Sequence, residues 1–241
     1  MPEPCFLTQK IGLWFMENLR LKGKFILASG SPRRKELIRM LGIEPVIEPS
    51  ALEENVDTTD PVRLVRELSA QKAADIAARY HAGEIVIGAD TCVYVPALPD
   101  AAGCAAFACG EGSGRTEDGT DGKRAAGEIL GKPKTHLEAE RMITLLQGRS
   151  HEVYTGVTII RCGADAAPYS FVEKTTVSVW PMSEEEIRLY SLLEEPMDKA
   201  GAYAVQGTFS RFIKALDGDY YNVMGLPLGR LYQELKRILE M

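Results

Sequence analysis

One eleven-residue run constrains this chain more than any other feature. Ile85-Val86-Ile87-Gly88-Ala89-Asp90-Thr91-Cys92-Val93-Tyr94-Val95 is rich in Val and Ile and reads as a central strand, yet it carries a carboxylate at its midpoint. Burying Asp90 there is costly unless the carboxylate is paired or bound to a metal. Gly88 and Ala89 leave space beside it for a ligand. Asp90 therefore reads as a metal ligand or as a base that orients water. The plainer alternative is a carboxylate at a strand end, capping the turn that follows.

The segments around this run alternate in type. Phe25–Ala28 reads as a buried strand, followed by Ser31 as a helix N-cap and Pro32 at the first helical position. Asp60-Pro61 opens a second helix running to about Tyr80. Leu137–Leu146 forms another, ending near Gly148. Glu152–Arg161 and Ser170–Trp180 read as strands. Ser183-Glu184-Glu185-Glu186 is a capping box that starts a helix to about Leu193. Leu228, Leu231, Leu235 and Ile238 give a closing amphipathic helix. Interleaved helices and strands predict an α/β fold with a mixed sheet and flanking helices.

The 241 residues make one large domain or two small ones at about 150 residues each. No apolar run approaches the ~18 residues of a membrane span. Residues 1–24 do not resemble a signal peptide. They read either as a misassigned start, with Met16 as the true one, or as a loosely packed arm. From Pro96 to Gly127, Ala and Gly supply eight and seven residues without a helical or strand period. That stretch reads as a flexible insertion at 96–127 in a single domain spanning 25–241. The five cysteines, Cys5, Cys92, Cys104, Cys109 and Cys162, form no C-x-x-C. An odd count without such spacing suggests neither a disulfide framework nor a zinc site, and it fits a reducing cytoplasm.

Lys and Arg number 28 against 34 Asp and Glu, a net charge of −6. An acidic chain is a poor general binder of nucleic acid. If it handles phosphates, it must gather its cations locally. Ala28-Ser29-Gly30-Ser31-Pro32-Arg33-Arg34-Lys35 is one such place, a small-residue turn between strand and helix. Free N–H groups at a helix start bind anions. Three cations in that first turn oppose the helix dipole, and an anion held among them would offset the cost. Lys72 falls on the apolar stripe of Val65, Leu68 and Ile76, so it either snorkels to water or reaches into an anionic site. Lys132 sits in the Gly131-Lys132-Pro133 turn. Glu195–Gly207 is a loop dense in charge and small residues, of the kind that carries function. Glu53 and Glu54 are a hard-oxygen pair able to hold a cation, or an ordinary surface pair. His81, His136 and His151 share no metal-ligand spacing and are not expected to be catalysts. No G-x-S-x-G or H-E-x-x-H occurs.

Taken in order, these segments resemble the Maf family of nucleoside triphosphate pyrophosphatases. The resemblance runs through Leu27–Arg34, Glu53-Glu54, Gln71-Lys72-Ala73, Gly88–Thr91, Leu130–Pro133 and His151–Val157. It continues through Glu195–Tyr203, Gln206-Gly207 and Gly218–Pro227. It implies an elongated ITPase-like fold with a central cleft, usually in a homodimer. It also implies hydrolysis between the α and β phosphates of a nucleoside triphosphate with Mg²⁺ or Mn²⁺. Carried over by motif, Asp90 is the proton acceptor for water. Ser29, Arg34, Lys72, Lys132 and Lys199 line the phosphates, and Glu53 or Glu54 joins Asp90 at the metal. Arg33, Thr91 and Gln206 stand where the family marks base preference, and the trio resembles its dTTP/UTP branch. Gln206 offers an amide donor and acceptor, and the Thr91 hydroxyl can do either. The partner is then a small nucleotide, not nucleic acid or membrane. Two rival readings remain: a non-catalytic nucleotide-binding regulator of cell division, or a pyrophosphatase for another base such as 7-methyl-GTP.

Overall fold

The computed structural model describes residues 21–53, 56–97, 127–163 and 167–240. Strand β1 (Phe25–Leu27) leads into helix α1 (Pro32–Met40), and β2 (Val46–Ile47) follows. Helix α2 (Pro61–Ala77) precedes β3 (Ile85–Val95). Next come β4 (Glu128–Leu130), α3 (His136–Leu146), β5 (Ser150–Arg161), β6 (Tyr169–Val179) and α4 (Glu184–Ser191). Three short 3₁₀ segments, Glu195–Asp198, Ala200–Ala202 and Thr208–Phe212, lead to β7 (Ile213–Asp217). Helices α5 (Tyr220–Met224) and α6 (Leu228–Glu240) close the chain.

The expected central strand appears with its expected bounds, and Asp90 sits in its middle rather than at an end. Start signals place the helices. The Asp60 side chain accepts from the Val62 N–H at 2.9 Å. Ser183 and Glu186 form the reciprocal capping box, although α4 stops at Ser191 rather than near Leu193. Helix α2 likewise ends at Ala77, short of Tyr80. Ser31 takes the N-cap position of α1 without a side-chain cap, and its own N–H donates to Ser29 Oγ at 3.3 Å.

All seven strands form one sheet, ordered β2-β1-β3-β5-β6-β7, with β4 pairing β3 off that path. Strand β1 is parallel to β2 and β3, and the remaining pairs are antiparallel, so the sheet is mixed as predicted. Strand β3 is largely buried on both faces, as its apolar residues on either side of Asp90-Thr91 require. On one face Val86 packs with Ala73 and Ile76 of α2. On the other, Ile85, Ile87 and Ala89 join Leu37 of α1 and Leu231 and Leu235 of α6. Farther along that face, Val93 and Val95 join Ile143 and Leu146 of α3 and Tyr190 of α4. Each fully buried leucine contributes roughly 1.5–3 kcal/mol. The second face thus carries two hydrophobic clusters side by side, and Met224 packs against both.

The pairing of β3 leaves a gap between these clusters. Ile85–Ile87 pair with β1, and Val93–Val95 pair with β4. Along that edge, residues 88–92 have no strand partner among the described residues, while the opposite edge is held by β5 throughout. Among the described residues no helix is long and apolar enough to cross a membrane.

Most of the expected 96–127 insertion, and all of the N-terminal arm before residue 21, lie outside the described residues. The ends of the insertion are described. Val95 and Glu128 are register partners in the antiparallel β3–β4 pair, and Pro96 O accepts from Arg149 Nη2 at 2.6 Å. Replacing Ala97–Ala126 with a short turn is therefore expected to give a hairpin on an existing ladder. Loop closure changes by only ~0.6 kcal/mol per doubling of length. Circular dichroism and thermal melting should show a folded protein with a nearly unchanged midpoint; an insoluble product would show that the segment packs.

Candidate active site

The β3 gap is where the chemistry-bearing side chains meet. The Ala28 N–H donates to Ile87 O at 2.9 Å, and β1 then leaves the sheet through Ser29-Gly30 into α1. The departing turn carries Ser29, Arg33 and Arg34 to the gap. On the other side of it, the segment after β4 supplies Lys132, and the loop after α4 supplies Lys199 and Gln206. All of these, with Lys72, Asp90 and Thr91, line one cavity of about 730 Å³. It brings together every predicted phosphate-lining and base-marking residue. Glu53 is not among its described lining residues, and Glu54 lies outside the described residues.

Successive strand residues point to opposite faces, and the gap exposes both. Asp90 points toward α2, where Lys72 Nζ donates to its Oδ1 at 2.6 Å. Both side chains are mostly buried, at 16% and 14% exposure. Of the two readings of Lys72, reaching into the site is the one observed. The paired ammonium also answers the question posed by a carboxylate in a central strand. Thr91 points to the other face. There Arg34 Nη2 donates to Thr91 Oγ1 at 2.9 Å, Nε to Gly225 O at 2.8 Å and Nη1 to Ser29 Oγ at 3.3 Å. Arg34 thereby ties the α1 turn to the end of α5.

Lys199 is held on the far wall. Its ammonium donates to Glu195 O at 2.9 Å and to the Asp198 carboxylate. Arg33 Nη1 lies 3.9 Å from Asp198 Oδ2, so this carboxylate bridges cations from two walls. Burial works to raise the Asp198 pKa, but the bond and charge of Lys199, with help from Arg33, hold it below the ordinary value. The Glu195 carboxylate accepts from the Thr208 N–H at 2.8 Å, the Tyr190 hydroxyl at 3.0 Å and the Phe209 N–H at 3.3 Å. It thus pins the stretch just after Gln206-Gly207. Asp198, Glu195 and Gly225 lie inside recognisable motifs, but their partners are remote in sequence, so the sequence alone gives them no role.

None of the three histidines lines the cavity. His136 Nδ1 is 2.7 Å from Ser191 O, and His81 is exposed. His151 is fully buried, with Nε2 2.8 Å from the hydroxyl of Tyr203, a cavity-wall residue. No cluster of three or more His, Cys, Asp or Glu suited to a metal occurs among the described residues. A hard cation here would have to combine one or two carboxylates with oxygens of a bound phosphate, a usual arrangement for Mg²⁺. The Asp90 carboxylate fits that pattern.

A family model described as Maf-like protein matches residues 24–238. The chain belongs to the Maf family. It is 41% identical over 216 residues to the dTTP/UTP pyrophosphatase of Lachnoclostridium phytofermentans, covering 89% of this chain and 94% of that one. It is equally 41% identical to the dTTP/UTP pyrophosphatase of Bacillus cereus, over 89% and 95% of the two chains. The solved structure of the Staphylococcus aureus Ham1 protein is a distant likeness, with a TM-score of 0.45 and 13% identity over 89% of this chain and 99% of that chain.

His151 yields a pH-dependent stability. Burial, with the charge of Arg149, lowers its pKa to about 3, against 6.5 ordinarily. Below pH 6.5 the unfolded chain takes up a proton that the folded chain refuses. Stability is therefore complete above 6.5 and falls as pH drops toward 3. At pH 5 the loss is about 2 kcal/mol. Urea unfolding at pH 7 and pH 5 should show this drop, and His151→Gln should flatten it. Parallel behaviour of the two proteins would assign the drop to other groups.

Proposed function

We propose that this chain hydrolyses the α–β phosphoanhydride bond of dTTP and UTP, releasing the nucleoside monophosphate and diphosphate. One observation carries the reading: the Lys72–Asp90 pair lies in the same cavity as Ser29, Arg34, Lys132 and Lys199. An acidic chain has gathered cations from separate segments around two carboxylates, Asp90 and Asp198. The names of the relatives support the substrate class.

In this reading the triphosphate lies along the gap, with its oxygens facing the hydroxyl of Ser29, the guanidinium of Arg34 and the three ammonium groups. These groups stabilise charge that develops on the leaving diphosphate. Lys72 engages Asp90 Oδ1 and fixes the carboxylate, and Oδ2 takes the proton of the attacking water. Asp90, together with phosphate oxygens, would hold a divalent ion. When bound, that ion supplies further neutralisation of the diphosphate charge. Positioning dominates such a reaction, so no organic cofactor is needed. Arg33, Thr91 and Gln206 sort the base. A sensor without catalysis would have no use for the paired carboxylate.

The test is a panel of nucleoside triphosphates with Mg²⁺, read by release of diphosphate. dTTP and UTP should be turned over best. Orthophosphate as the first product, or a preference for GTP or 7-methyl-GTP, would overturn the bond or the base assignment respectively.

Asp90→Asn removes the proton acceptor while nearly preserving shape. It should lower kcat for dTTP by ~10²-fold or more with the fold intact by circular dichroism. Near wild-type turnover would make Asp90 structural.

A further inference from the structure

Thr155 lies in the middle of β5, fully buried and directly opposite Thr91 in the β3–β5 register. A threonine hydroxyl has one proton and two lone pairs. The proton of Thr155 is committed, because its Oγ1 lies 3.0 Å from Asn222 O and a carbonyl can only accept. Asn222 is itself locked. It is fully buried, and its Nδ2 donates to Val153 O at 3.1 Å and Thr175 Oγ1 at 3.0 Å.

This fixes the next link in the chain. Thr91 Oγ1 and Thr155 Oγ1 are 2.9 Å apart. Since the Thr155 proton points to Asn222, the bond between the two hydroxyls must use the proton of Thr91. Arg34 Nη2 donates to the same Thr91 oxygen at 2.9 Å, as a guanidinium has no lone pair to offer. Thr91 has then committed its only proton inward and one lone pair to Arg34. A single lone pair is left for the cavity that Thr91 lines.

We infer that Thr155 is a positioning residue for base selection: it polarises Thr91 so that Thr91 presents an acceptor, and never a donor, to a bound nucleotide. This rests on the reading of Thr91 as a base-facing residue. An acceptor at that point selects a base whose ring edge carries an N–H. Uracil and thymine carry one at N3, whereas cytosine has a lone pair there. Cytosine would place two lone pairs face to face and leave both unpaired, which a buried site tolerates poorly. The hydroxyl that the sequence leaves free to donate or accept is thus restricted by a neighbour sixty-four positions away.

The experiment compares kcat/KM for UTP and CTP, by diphosphate release, in wild type, Thr155→Val, Thr155→Ser and Thr91→Val. Thr155→Val keeps the volume but removes the acceptor, so the Thr91 proton can turn toward the cavity. The UTP-to-CTP ratio should fall roughly 10- to 100-fold, the range for one mispaired polar group. Thr155→Ser should restore it, which a general packing defect would not do. Thr155→Cys, a weak acceptor of similar size, serves the same purpose if the valine variant does not fold. A ratio that collapses in Thr91→Val but is unchanged in Thr155→Val or Thr155→Cys overturns the polarising role alone. A ratio unchanged in Thr91→Val removes Thr91 from base selection, and the inference falls with that reading.

Discussion

Helix α2 lies on the sheet at backbone contact, and the site depends on that closeness. A Cβ on Gly88 would collide with the carbonyl of Ser69, and one on Gly156 with the carbonyl of Val65. Gly88 and Gly156 belong to neighbouring strands, and neither has a positive φ, so bare space is what each provides. A methyl group at either would push the helix outward against a close-packed core. Lys72 rides on that helix one residue before Ala73, which itself packs against Gly88. Its ammonium reaches Asp90 Oδ1 at 2.6 Å because the helix sits where the glycines let it. Glycines that weaken a strand elsewhere are here the condition for an ion pair.

The same geometry explains how a chain of net charge −6 can build a cationic cavity. Arg34 begins α1, where a cation opposes the helix dipole. Its guanidinium turns away from the helix end to Gly225 O and Thr91 Oγ1, so hydrogen bonds to the far wall offset the misplacement. Arg33 and Lys199 share Asp198. Arg33, Arg34, Lys72 and Lys199 are each held by a specific oxygen, so these long flexible side chains arrive already oriented. Pre-oriented groups lose less freedom when they bind an anion, and this favours positioning as the main catalytic resource.

The legible parts of the fold were those with a local cause. The bounds of β3 follow from the strand-forming runs Ile85-Val86-Ile87 and Val93-Tyr94-Val95 at its two ends, and the start of α4 follows from Ser183 and Glu186. Strands β2, β4 and β7 were not foreseen. At two, three and five residues they are too short to show a period, and they exist because a neighbour offers a free edge. The same division holds for the site. Asp90 stood out because it conflicts with its own segment. Lys72 was ambiguous, since helical spacing places it on a stripe without saying what faces the stripe. Thr155 and Asn222 fall inside recognisable motifs without a role of their own, as buried polar residues are recognised only by partners that the fold brings to them. Asp198 was hidden among other charged residues of its loop.

Register is what makes Asp90 and Thr91 adjacent yet chemically separate. Strand β3 pairs with β5 from Ile85↔Arg161 to Tyr94↔Glu152, one residue against one residue. Side chains alternate with period two, so a slip of one residue would send Asp90 to the Arg34 face and Thr91 to the Lys72 face. The carboxylate would lose its lysine and the hydroxyl its Thr155 partner. Burial of β3 on both faces opposes such a slip, because Val86 and Ile87 fill different clusters on opposite sides of the sheet. Strand β1 and β4 then stop short of residues 88–92, leaving both faces of this short stretch open to one cavity. Two consecutive residues thereby meet different partners from opposite sides of a sheet. Asp90 faces Lys72, and Thr91 faces Arg34.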